Sequence, residues 1–154
     1  MSSIRVALAS LSSIHPDGEV LAVWGSIGNG DGQFRDHTSV AVDPTSNKVY
    51  VADPINRRIQ VFDSDGKFLT KWPIPEWGES RGFEDLAIDS QAGRLYASSA
   101  NMDAILVFDL NGSRIGAVKP NPLDKLEGAS ALVVANKKLY VLCTSANHVV
   151  QIQL

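Results

Sequence analysis

"FRDHTSVAVDPTSNKVYVADPINRRIQVFDSDGKFLTKW", residues 34–72, alternates apolar and polar side chains almost without a slip, and turn residues interrupt it at short, regular intervals. Alternation with a period of two places successive side chains on opposite faces of an extended strand. The stretch therefore reads as four strands: A (39–43), B (48–52), C (58–63) and D (67–72). They are joined by "PTSN", "PINR" and "SDG", which is the turn chemistry of antiparallel hairpins. Pro44 and Pro54 fall in the connections, where a missing N–H removes no ladder bond. Val40, Val42, Val49, Val51, Ile59 and Val61 supply the apolar faces on which one sheet packs against another.

The same unit recurs along the chain. A glycine in the turn before strand D stands in "HPDG" (Gly18), "DSDG" (Gly66) and "DLNG" (Gly112), 48 and then 46 residues apart. The strand B tyrosines in "KVYVAD" (Tyr50), "RLYASS" (Tyr96) and "KLYVLC" (Tyr140) are spaced by 46 and 44. Strand A returns as 85–89 and 131–135, and strand C as 104–109 and 148–154. A repeated four-stranded antiparallel unit of this length is the pattern of β-propeller blades. No window carries helical periodicity over helical length, so helix should be scarce.

"WGSIGNGDGQF" followed by the quoted unit, residues 24–72, resembles the NHL repeat with its glycine-rich linker in front. Asp53, Asn56 and Arg58 occupy the B–C loop positions of that repeat's motif. The aligned residues are Ser99, Met102 and Ala104 in the next unit and Cys143, Ala146 and His148 in the last, so only strand pattern and turns persist there. The resemblance implies a propeller that serves as a platform for recognising protein, RNA or another ligand, some relatives being lyases or hydrolases.

Aligning "SSIHPDGEVLAVWG" with "QVFDSDGKFLTKW" superposes Gly18 on Gly66 and Trp24 on Trp72, so the chain opens inside a blade. The expected blades are 1–24 (partial), 34–72, 83–119 and 129–154 (partial), about three and a half in a single domain of 154 residues. Three arrangements fit: a segment of a longer propeller, a small closed ring, or completion by a second copy through the open terminal blades. The first and third are favoured over monomeric closure.

Composition narrows the function. The formal net charge of −3 argues against a nucleic-acid surface, which needs a basic stripe. Arg57 and Arg58 are adjacent, but no basic and aromatic residues extend them. One cysteine, Cys143, excludes an internal disulfide and leans toward a reducing, cytoplasmic compartment; a piece of a larger extracytoplasmic protein would read the same. The N-terminal apolar run is broken by Ser10, Ser12 and Ser13, and nothing approaches the ~20 apolar residues of a membrane helix, so no membrane contact is expected.

Asp43, Asp63, Asp89 and Asp109 sit at strand ends and read as turn caps. Asp53, Asn56 and Arg58 read as a structural clasp, since an Arg fork binds a carboxylate while Asn satisfies loop backbone. "GNGDGQF" lacks the Lys-Ser/Thr ending of a phosphate loop and reads as a linker. The long connection "PIPEWGESRGFED" (73–85) brings Trp77 and Arg81 together, both favoured recognition anchors. D–A and B–C connections share a propeller face, so Asp53, Arg57, Trp77, Arg81, Asn101, Asp103 and His148 are the expected binding set. The competing reading packs Trp77 into the structure beside Pro73 and Pro75. Unfolding by Trp77→Ala or Arg81→Ala would favour a core role for the residue changed; a folded variant with weakened binding would favour the anchor.

No catalytic residue, metal or cofactor is expected. Cys143 and His148 lie at the two ends of one B–C connection, where a small buried thiol fits better than a nucleophile. A lyase or lactonase-like hydrolase needs acidic or imidazole groups at the strand A starts, and only Glu84 and Asp85 qualify. The expectation is a non-enzymatic interaction module with a protein partner, an enzyme fragment being the alternative and RNA recognition a further one.

Overall fold

The computed structural model describes residues 3–7, 10–35, 39–78, 84–119 and 126–154, the first of these as backbone. Its contacts divide the chain into two compact units, Met1–Ser80 and Arg81–Leu154.

In the first unit, β1 (Ser3–Ala7), β2 (Ser10–Ile14) and β3 (Val20–Trp24) form a three-stranded antiparallel sheet in sequence order. β4 (Ser26–Ile27) and β5 (Gln33–Phe34) pair in parallel, an element that the glycine-rich linker gave no sign of. β6 (Ser39–Asp43), β7 (Lys48–Asp53), β8 (Arg58–Phe62) and β9 (Phe68–Pro73) then form a four-stranded antiparallel meander. The second unit repeats the theme. β10 (Leu86–Asp89), β11 (Arg94–Ala97), β12 (Ile105–Asp109) and β13 (Arg114–Val118) make a four-stranded sheet. β14 (Ala129–Ala135), β15 (Lys138–Cys143) and β16 (His148–Gln153) make a three-stranded one. The repeated sheets thus hold three, four, four and three strands, as the repeat predicts, and no helix occurs among the described residues.

Register decides which face each side chain takes. Val40 pairs with Val51, Val42 with Val49, and Val49 with Phe62, so these share one face. Ile59 and Val61, opposite Ala52 and Tyr50, lie on the other. The first face closes the core of unit one, where Leu11, Phe34, Val49, Val51 and Phe62 are buried with Trp24, Val40 and Phe68 packed around them. Phe62 is its hub: its ring centroid lies 5.7 Å from Phe34, 6.0 Å from Phe68 and 6.4 Å from Trp24, at the tilted and edge-on angles aromatic rings prefer. In unit two, Ala87, Tyr96, Ile105 and Val107 of one sheet pack with Leu132, Leu139, Val141, Cys143 and Val150 of the other.

The turns between strands are built by their own carboxylates. Asp43 accepts the backbone N–H of Thr45 and Ser46, and Asp63 those of Asp65 and Lys67. Asp89 accepts from Ala92, and Asp109 from Asn111 and Ser113. Each carboxylate satisfies donors that the hairpin leaves unpaired. A bulge follows at the same repeat position in three sheets, between Ser13 and Ile14, Val61 and Phe62, and Val107 and Phe108. It increases the local twist where the outermost strand joins.

Candidate functional site

Asp53 ends β7, and β7 and β8 meet there in register, so Asp53 stands directly opposite Arg58. Its buried carboxylate collects donors from three sides. Oδ2 accepts from Arg58 Nε at 2.8 Å and Asn56 Nδ2 at 2.8 Å, and Oδ1 accepts from the Arg35 backbone N–H at 3.0 Å. The rest of the guanidinium grips the linker: Nη1 donates to Asn29 O, and Nη2 to Gly30 O and Gln33 O, all within 2.9 Å. Asn56 Nδ2 also donates to Gly28 O at 3.0 Å. Gln60, one pleat further along β8, donates to Gln33 O at 2.7 Å and accepts the Gly32 N–H at 3.0 Å. An Arg fork matches several acceptors in one plane, and a buried ion pair persists only when its remaining donors and acceptors are satisfied. The cluster is a clasp, and what it holds is the linker 28–35 against the sheet that follows. Gln60 is the member that the sequence reading left out; its signal was an amide at an inward position of strand C.

Between the clasp residues, Arg57 is exposed in the left-handed region with φ 52°. Its N–H donates to Pro54 O at 2.8 Å, and its carbonyl accepts from Ile74 N at 2.7 Å, so the B–C turn and the residues after β9 are tied together there. Trp77 N donates to Ile74 O at 3.1 Å, closing a turn that folds both side chains inward. Ile74 and Trp77 are completely buried. Two of the expected binding residues are corrected accordingly. Asp53 spends its carboxylate inside the clasp, and Trp77 is a core residue because the Ile74–Trp77 turn directs its indole into the fold. Arg81 lies outside the described residues.

In unit two, Asn101 and Asp103 are exposed on the β11–β12 turn, and His148 is exposed at the start of β16, just after the β15–β16 turn. These are the corresponding connections of two neighbouring sheets, so the three residues stand at the same end of their strands. His148 Nδ1 lies 3.2 Å from Ala146 O, which ties the imidazole to its own turn. Cys143, its register partner, is buried, and burial pushes its thiol pKa up, opposite to what a reactive thiolate needs.

The two acidic residues before β10 take structural roles. Glu84 is buried and accepts from Ser99 Oγ at 3.3 Å; Asp85 accepts the Leu132 N–H at 2.6 Å, joining β14 to the neighbouring sheet. Among the described residues no three His, Cys, Asp or Glu side chains converge as a metal-binding group. No helix of the described residues is long and apolar enough to cross a membrane.

The fold has clear counterparts. No family model matches the chain. Virginiamycin B lyase from Staphylococcus aureus matches with a TM-score of 0.61 and 15% identity, over 96% of this chain and 50% of that one. A catalytically inactive form of that lyase with quinupristin matches with a TM-score of 0.61 and 14% identity, over 96% and 49%. U3-55K matches with a TM-score of 0.68 and 13% identity, over 99% and 48%. The class is thereby defined: an all-β fold of repeated antiparallel sheets, of β-propeller type. Within that class, the chain spans about half the length of the solved propellers it matches.

Proposed function

We propose that this chain is a non-enzymatic recognition module of NHL type that engages a protein partner through the exposed ends of its B–C turns. Arg57 supplies the contact in the first unit, and Asn101, Asp103 and His148 supply it in the second. The observation that carries this reading is the construction around Arg57. Its neighbours Asn56 and Arg58 are both fixed by the Asp53 carboxylate, so Arg57, an exposed residue, is carried on a rigid turn. A preorganised turn loses less conformational freedom on binding, and Arg is a favoured anchor at protein interfaces. The equivalent turns carry different polar residues, as a recognition face with varied loops requires. A net charge of −3 leaves a protein partner better supported than nucleic acid.

The test compares the chain with a variant carrying Arg57→Ala, Asn101→Ala, Asp103→Ala and His148→Ala, each immobilised and cross-linked in cell extract. The parent chain should retain defined protein species that the variant loses, with the melting temperatures of the two within a few degrees. Retention by both, or cross-links to RNA in place of protein, would reject the proposal.

A further inference from the structure

The A–B turn of the β14–β16 sheet departs from the repeat. β6 and β7 pair at Asp43 and Lys48 across residues 44–47, and β10 and β11 pair at Asp89 and Arg94 across 90–93. β14 and β15 pair at Ala135 and Lys138, so Asn136 and Lys137 alone form that turn. Both are left-handed, with φ of 52° and 57°, in a two-residue hairpin turn whose second place favours glycine. The Lys137 carbonyl is held there by Gln153 Nε2 at 2.9 Å and by the Leu154 N–H at 3.0 Å. A side chain kept in such a backbone conformation by its surroundings marks a candidate functional position.

Between this short turn and the longer β10–β11 turn lies a cleft of about 390 Å³, a size that suits a small molecule. Ile88, Asp89 and Gln91 line one side of it, and Val134, Asn136 and Lys137 the other. The two sides belong to one unit and are tied together: Asp85 accepts the Leu132 N–H, and Ala87 and Leu132 share one core. Opposite charges line the cleft without neutralising each other. Among the described residues no cation forms an ion pair with Asp89, and no carboxylate forms one with Lys137.

The repeat shows why Asp89 keeps capacity to spare. Asp43 uses both carboxylate oxygens, Oδ1 for the Thr45 N–H and Oδ2 for the N–H and hydroxyl of Ser46. Ala92 stands where Ser46 does in the earlier turn. Among the described residues the only hydrogen bond to the Asp89 carboxylate is the one from the Ala92 N–H to Oδ1, at 3.0 Å. Its Oδ2 is left to accept from a ligand.

We infer that this cleft binds a free α-amino acid with an apolar side chain. The Asp89 carboxylate takes the ligand's ammonium, Lys137 and the Asn136 amide take its carboxylate, and Ile88 and Val134 take its side chain. A zwitterion answers both charges, whereas a plain anion would meet Asp89 and a plain cation would meet Lys137. The A–B turns lie at the opposite end of the strands from Asn101, Asp103 and His148, so the cleft is separate from the recognition turns proposed above.

Amide NMR spectra of the chain titrated with L-leucine, isopentylamine and isocaproate test this. The last two are leucine without its carboxylate and leucine without its ammonium. Leucine should shift the amides of residues 88–91 and 134–137 and bind at least about tenfold tighter than either analogue. Lys137→Met should abolish the preference over isopentylamine. Asp89→Asn keeps the oxygen that caps the turn and should abolish the preference over isocaproate. Leucine that leaves these amides unshifted overturns the inference. So does equal binding of the three probes, or a preference that both variants retain.

Discussion

Arg58 is the residue on which the first unit's linker depends, because one guanidinium closes an ion pair and three carbonyl contacts at once. Arg58→Ala strands the buried Asp53 carboxylate and should cost about 3–5 kcal/mol in urea unfolding. Arg58→Lys should recover little of it, since an ammonium cannot span acceptors that a planar fork reaches. Trp77→Ala is expected to lose about 3–5 kcal/mol by opening a cavity, measured the same way. Cys143 should resist a thiol reagent in the folded protein and react on unfolding, as a buried thiol of raised pKa must. Asp109 sets a pH dependence. The backbone N–H of Ser113, aided by that of Asn111, outweighs the small cost of burial and holds its carboxyl below the usual carboxylate range. A folded pKa below the unfolded one means that the stabilisation is complete above about pH 4 and is lost as pH falls through the folded value. Asp109→Asn should flatten that part of the acid limb in a stability-versus-pH series.

At the scale of strands and turns, most of the architecture was legible in the sequence because each hairpin is local. The A–D strands of residues 34–72 match β6–β9 to within a residue at most ends, since alternation and turn residues are set by near neighbours. The β4–β5 pair was not legible: two-residue strands carry no periodicity, and the pair exists because the clasp holds the linker in place. The turn glycines of strand D show both kinds of cause. Gly18 and Gly66 adopt φ of 90° and 83°, a local requirement of the turn. A Cβ on Gly66 would also come within 2.5 Å of the Trp24 ring, whereas one on Gly18 meets nothing within 4 Å. Gly18→Ala should therefore cost about 1 kcal/mol of backbone strain. Gly66→Ala should cost distinctly more in the same thermal-unfolding assay, and Trp24 fluorescence should shift only in that variant.

Across the chain, a repeat of sheets makes stability depend on how neighbouring sheets pack within each unit. The candidate site was only partly legible at this scale. Arg57, Asn101, Asp103 and His148 are exposed on B–C turns as their positions in the repeat require, but Asp53 and Trp77 are buried. The composition of a long connection did not reveal which of its side chains turn inward; that follows from the Ile74 N–H bonding to Arg57 O and the turn this starts.

The sequence alone determined the strands of the repeated sheets, their order within each sheet, the turn-capping aspartates and the period of the repeat. All of these rest on alternation and hydrogen bonds between residues close along the chain. Tertiary structure decided what the Asp53–Arg58 pair holds and which aromatic rings form the core. Those depend on groups brought together from distant positions, 29 apart for Arg58 and Asn29 and 25 for Arg58 and Gln33, and no local pattern encodes such a meeting.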